Sequence, residues 1–276
     1  MSYLTDWQLE PPSMTVGLLA LLYAAGWRRR PRRRAAHRRA ARRQAAFFAA
    51  GVAALVLALN SPLAALDDEL FWVHMTQHVL LLVVAPPLLL LGRPGPTIWG
   101  ALPLPIRRAA TQDVRGLAGR AWARAAWSVA TAPTTALVAF VGTLAVWHLP
   151  MLYDATLYLP EVHVLEHVMF LASGLLFWSQ LVDSPPLRSR LGYPGRALHA
   201  TVATAASWLL AVVLAVGSEP LYEGYARLAS RPGGISALAD EQLAAGIMWV
   251  PGSIPFAVAI LWFTYRWLEP ERSEHS

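Results

Sequence analysis

The chain has 276 residues, 56% of them hydrophobic, and no cysteine. A mean hydropathy of +0.41 with long apolar runs marks a polytopic membrane protein and excludes an ordinary soluble domain. The missing cysteines exclude disulfides, thiolate metal sites and cysteine nucleophiles. The isoelectric point near 10.1 comes from arginines set between hydrophobic runs, a topology signal and not a nucleic-acid footprint.

A helix needs about 20 apolar residues to cross a bilayer. Seven stretches fit, near residues 7–27, 44–60, 70–91, 131–147, 161–182, 197–217 and 242–265. The chain is therefore expected to be all-α, one seven-helix transmembrane domain over residues 1–268 with a cytoplasmic tail at 269–276. The first stretch is the weakest, its dense part running only from Met14 to Trp27. Asp6 and Glu10 precede it and the arginines follow it, so it reads as a retained helix and not a cleaved signal peptide.

The connecting segments set the orientation. Residues 28–43 carry ten arginines and no acid, residues 92–130 six arginines and Asp113, and residues 183–197 three arginines and Asp183. Residues 1–13, 61–69 and 149–160 carry no arginine, and 218–241 only Arg227 and Arg231. The positive-inside rule then puts the N-terminus outside and the C-terminus in the cytoplasm. The segment Ile106 to Trp127 reads as an interfacial amphipathic helix. Trp27, Trp72, Trp147, Trp178, Trp249 and Trp267 suit interface belts. Pro86-Pro87 kinks the third span and frees carbonyls that neighbouring helices must satisfy.

The polar residues are concentrated near one surface. His74 and His78 are four apart on the third span, as are His163 and His167 on the fifth, so each pair shares a helix face. With about 1.5 Å of rise per residue, His74 lies roughly 6 Å and His78 roughly 12 Å below the outer end, and His163 and His167 roughly 3 and 9 Å. His148 closes the fourth span at the same level, within reach of Met75, Met151, Met248, Gln77 and the acidic run Asp67-Asp68-Glu69. Ionisable groups inside a membrane usually pair and mark function. Neutral imidazole is the commonest metal ligand, and methionine tilts the choice toward copper. His74, His78, His163, His167 and His148 are the expected metal ligands, with Glu166, Met75, Met248 and Asp68 in support. Glu166 is either a ligand or the acceptor that fixes a histidine tautomer. His37, His199 and His275 fall outside this layer and read as structural. No phosphate loop or Ser/His/Asp constellation is present, and every basic residue is arginine, which disfavours ATP-driven transport.

Three sets of residues resemble the CtaG family of bacterial cytochrome c oxidase assembly factors. The first is Ser61-Pro62-Leu63, Asp68, His74-Met75, Gln77-His78 and Ala85-Pro86-Pro87 with Gly92 and Pro94. The second is Trp147-His148, Pro150, Tyr153-Asp154, His163, Glu166-His167 and Phe177-Trp178. The third is Asp240, Gln242, Ile247-Met248-Trp249 and Pro251-Gly252. The resemblance covers roughly residues 10–268. It implies a multi-pass factor of the bacterial plasma membrane that helps build a caa-type haem-copper oxidase, with the oxidase subunits as partners. It carries over His74, His78, His148, His163 and His167. The arginine block at 28–43 is not a family feature.

The first reading is therefore a non-enzymatic assembly factor handling copper through an outward-facing histidine cluster. A membrane metalloenzyme of the di-iron type would need more histidines, on the cytoplasmic side. A bis-histidine haem protein would need well-separated axial sets deep in facing helices. A metal transporter would need polar groups continuing into the cytoplasmic half, where only His199 is found.

Overall fold

Proline and apolar periodicity between them partition the chain into helices. The computed structural model describes residues 11–30 and 35–269, so Trp7, His275 and part of the arginine block lie outside the described residues. The helices are α1 Pro11–Arg29, α2 Ala35–Asn60, α3 Phe71–Leu91, α4 Pro94–Ala101, α5 Leu104–Ala118 and α6 Ala121–Ala130. They continue with α7 Pro133–Trp147, α8 Pro150–Tyr158, α9 Pro160–Trp178, α10 Tyr193–Val216, the short α11 Glu223–Ala226, and α12 Ala237–Leu268. Among the described residues the fold is all-helical, with one isolated bridge between Ser184 and Leu187.

Among the described residues, five helices are long and apolar enough to cross a membrane: α2, α3, α9, α10 and α12. The pair α6 and α7 makes a sixth if taken together, bent by 53° at its break. Pro133 has no N–H to donate and holds Ala132 extended (ψ 144°), so the expected span at 131–147 is the 15-residue helix α7, short for a crossing by itself, with the tilted α6 before it. The seventh stretch is interrupted in the same way, by a 3₁₀ turn at Pro251–Ser253. The expected amphipathic helix over 106–127 is two helices, separated at Gly119 and Arg120, and neither buries a residue. The second helix begins at Ala35, so Arg38, Arg39, Arg42 and Arg43 lie within it.

Helix α3 is the most enclosed of the five, with α2, α9 and α12 packed around it. Its N-terminus has no side-chain cap of its own. Asp240 of α12 supplies one, its carboxylate accepting from the Phe71 N–H at 3.0 Å and the Trp72 N–H at 2.9 Å. Gln77 ties α3 to α2 by donating to the Ala58 carbonyl at 2.9 Å. Past Val79 the helix widens into a π turn, Leu80–Val84, directly before Pro86-Pro87. Pro86 cannot donate to the carbonyl of Leu82, and Trp178 of α9 takes its place, Nε1 to O at 3.2 Å. Trp178 and Trp147 are thus buried, not in an interface belt. Gly174 lets α9 come this close, since a Cβ there would sit 2.7 Å from the Leu82 carbonyl oxygen.

Apart from Arg227 and Arg231, the latter 4.0 Å from Asp240, the arginines bonded across the bundle lie at the end away from Phe71. Arg29 donates to the Ala101 carbonyl at 2.6 Å, and Arg30 to Gln44 at 2.8 Å. Arg196 bonds the Leu181 carbonyl at 3.0 Å and Asp183 at 2.8 Å. Large apolar side chains such as Leu209, Val213 and Val216 on α10 and Val258, Leu261 and Trp262 on α12 cover the outside. So much exposed apolar surface is what lipid-facing helices present.

Candidate metal centre

Because α3 and α9 pack face to face, their two histidine pairs meet. The rings of His74 and His163 are 4.9 Å apart, those of His78 and His167 5.8 Å. His74, His163, Glu166 and His167 each offer one ligand atom, and those atoms lie within 4.8 Å of one another. Glu166 is buried between them, with Oε2 3.2 Å from His74 Nε2 and Oε1 3.5 Å from His78 Nε2. His163 lies at the outer edge, 3.8 Å from the Asp67 carboxylate.

The Tyr225 hydroxyl donates its one hydrogen to the Asp67 carbonyl. It must therefore accept from His74 Nδ1, 3.2 Å away, which fixes the proton on that nitrogen. In a neutral His74 ring, Nε2 then presents a lone pair to a carboxylate oxygen, and two acceptors face each other. A buried carboxylate needs a cationic partner, either an imidazolium or a bound ion. His163 Nε2, His167 Nε2 and Glu166 Oε1 are buried without any hydrogen-bond partner. Native interiors rarely leave such atoms unpaired. Three imidazoles and a carboxylate with free lone pairs fit a borderline transition-metal ion such as copper or zinc.

The cluster has a way in. A cavity of about 280 Å³ is lined by Asp67, Asp68, Gln77, Thr156, His163 and His167 among others. Burial, and then the neighbouring Asp68 carboxylate, push the Asp67 carboxyl up to about 7. Asp68 itself is exposed at the cavity wall, so of the acidic run 67–69 it is Asp67 that faces His163.

The remaining expected residues lie on the far side of His78. His148 donates from Nδ1 to the Leu144 carbonyl at 2.7 Å, and its Nε2 faces Met75 Sδ at 3.4 Å. Met248 lines a small cavity beside both. Met151 is 79% exposed and takes no part. His37 is exposed, and His199 stacks on Phe177 at 4.8 Å, far from the cluster in the fold.

Sequence reasoning did not single out Tyr225, and it named Asp240 only within the family resemblance, without its role as the cap of α3. The polar pattern Tyr222-Glu223-Gly224-Tyr225, in a loop between two spans, was the available signal for the first. Partners that orient a ligating histidine are commonly worth 10- to 100-fold in metal affinity. Tyr225→Phe is accordingly expected to weaken metal binding by roughly 10- to 100-fold while leaving the helix content intact. Competition titration with a chromogenic chelator measures this, and an unchanged affinity would remove Tyr225 from the site.

The profile of the family described as cytochrome c oxidase caa3 assembly factor (Caa3_CtaG) matches residues 21–270. Among curated proteins the chain is 28% identical over 280 residues to the uncharacterized protein Mb0105 of Mycobacterium bovis, an alignment covering 98% of this chain and 40% of the relative. It is similar at 26% over 232 residues to the uncharacterized protein ML1998 of Mycobacterium leprae, covering 79% of this chain and 33% of that protein. The chain thus spans well under half the length of these relatives. No solved structure matches the chain. The profile takes in the histidine helices, their Asp240 and Tyr225 partners and the Trp178–Leu82 contact together, and the chain belongs to the cytochrome c oxidase caa3 assembly factor family.

Proposed function

We propose that this assembly factor handles copper, holding it at His74, His163, Glu166 and His167 and passing it to an oxidase subunit in the bacterial plasma membrane. The observation that carries the reading is the pair of unpartnered buried nitrogens of His163 and His167 on α9, whose ligand atoms come within 4.8 Å of those of Glu166 and of His74 on α3. Copper enters here as cargo. His74, held by Tyr225, and Glu166 are fixed by the fold, whereas His163 and His167 border the cavity. A cluster that is reachable on one side suits exchange better than a closed structural site does.

The same proposal includes seven spans, with α1 as the first and α6 with α7 as the fourth. The N-terminus lies outside and the C-terminus in the cytoplasm. The arginine-rich segments lie at one end, and the histidine cavity, with only Arg227 and Arg231 near it, at the other, which under the positive-inside rule turns the cavity outward. The partner would be a nascent copper-carrying oxidase subunit meeting the cavity mouth. The role is one of delivery, without turnover.

Two measurements test this. The purified protein is expected to carry copper near stoichiometrically by elemental analysis. A strain lacking the chain is expected to lose oxidase activity while keeping oxidase transcripts, and added copper should restore part of it. Unchanged activity in that strain would sink the assembly role here. Intact activity loss without copper in the protein would sink only the copper part.

A further inference from the structure

We infer that the chain has a second metal site behind the first, a Cu(I) site built on His148 Nε2 and Met75 Sδ. The geometry on which it stands is independent of the cluster described above; only the identity of the metal rests on the proposed copper reading. His148 gives its Nδ1 proton to the Leu144 carbonyl at 2.7 Å. In the neutral ring, Nε2 is then an electron-pair donor and not a proton donor. The atom facing it at 3.4 Å is the Met75 sulfur, which has no proton either. Both residues are buried. Two lone pairs turned on each other in an apolar interior is an arrangement that a cation between them resolves.

The surroundings select the cation. A cavity of about 30 Å³ adjoins His148 and Met75, and its wall includes His78 and Met248. That is room for one ion, given that a single water needs about 10–15 Å³ on the same measure. Ser207 apart, the other walls are apolar, among them Leu144, Phe170 and Phe256. An apolar wall penalises a double charge more than a single one, and thioether with imidazole is the donor set of a soft ion. Both conditions point to Cu(I) rather than Zn(II) or Cu(II). His78 lies between the two sites, its ring 5.8 Å from that of His167 and 6.2 Å from that of His148. Neither of its ring nitrogens has a hydrogen-bond partner. It therefore links the cavity-side cluster, of harder N/O donors, to an inner N/S site.

The test uses the full chain in detergent, anaerobically, with Cu(I) and with Ag(I) as its redox-inert analogue. Retained metal is counted after desalting, and X-ray absorption reads whether sulfur is a neighbour. Wild type is expected to retain two equivalents, one of them with sulfur ligation. The volume-conserving pair Met75→Leu and Met248→Leu should lose one equivalent and the sulfur signal and keep the other. The pair His163→Ala and His167→Ala should do the reverse. Sulfur-free metal only in wild type, or a sulfur signal that persists in the leucine variant, would overturn the inner site. The wild-type spectrum decides this even if a variant fails to fold. A sulfur-bound equivalent in wild type, with no change on removing His163 and His167, would leave the inner site standing and overturn the outer one.

Discussion

The variant His74→Ala/His167→Ala is expected to lose copper from the cavity-side cluster altogether at micromolar metal. The two histidines come from different helices, and each offers a ligand atom in the same group. Small protein sites of four ligands hold a divalent ion with about 10–16 kcal/mol in all. Removing two of four donors costs on the order of 5 kcal/mol or more, roughly a 10⁴-fold drop in affinity. Because histidine must be deprotonated to bind, the wild-type affinity should also fall steadily as the solution is acidified. His199→Ala is the control. That ring stacks on Phe177 outside the group, so its loss should leave copper binding unchanged. Equilibrium dialysis of both variants against a copper buffer reads the outcome. Wild-type affinity in the double variant would end the assignment.

Gly174→Ala is expected to destabilise the bundle and to weaken the metal cluster together. A Cβ there would meet the Leu82 carbonyl oxygen at 2.7 Å, Pro86 Cγ at 2.9 Å and Leu82 Cα at 3.2 Å. These are backbone and ring atoms that cannot rotate away, so α9 must shift off α3. Overpacking of this kind costs about 1–3 kcal/mol. The shift would also draw Trp178 from the Leu82 carbonyl, leaving a buried acceptor unsatisfied at about 1–3 kcal/mol more. Glu166 and His167 lie two turns earlier on the same helix, so copper affinity should fall together with stability. Gly142→Ala on α7 makes the comparison, since a Cβ there meets nothing within 4 Å. It should be neutral or stabilising by about 0.5–1 kcal/mol, as a helical glycine replaced by alanine usually is. Thermal unfolding of the two variants in the same detergent gives the contrast. Equal melting temperatures would mean that the α3–α9 contact does not depend on this glycine.

Several features could be read without coordinates because they depend only on neighbours along the chain. Apolar runs report a helix that must hide its backbone from lipid, and α2, α3, α9, α10 and α12 sit where those runs are. The four-residue spacing of His74 with His78 and of His163 with His167 fixed that each pair shares a face. Proline marks where the helices depart from straight runs: Pro133 starts α7 after a 53° bend from α6, and Pro251 sets a 3₁₀ turn inside α12, which still counts as one candidate span. The amphipathic segment divides after Gly119, where Arg120 turns extended ahead of α6.

What the sequence determined by itself is the helical class, the division of charge between alternate connecting segments, and the two histidine faces. Only the tertiary structure decided that these faces oppose each other, because that depends on contacts between residues some 90 positions apart. The geometry rests on a glycine that admits α9 and a tryptophan that replaces the bond proline deletes. The structure also divided the expected ligands, setting His74, His163, Glu166 and His167 together and His148 with Met75 apart. No spacing along the chain could show this division, since it follows from which proton each ring has already given to its own backbone or to Tyr225.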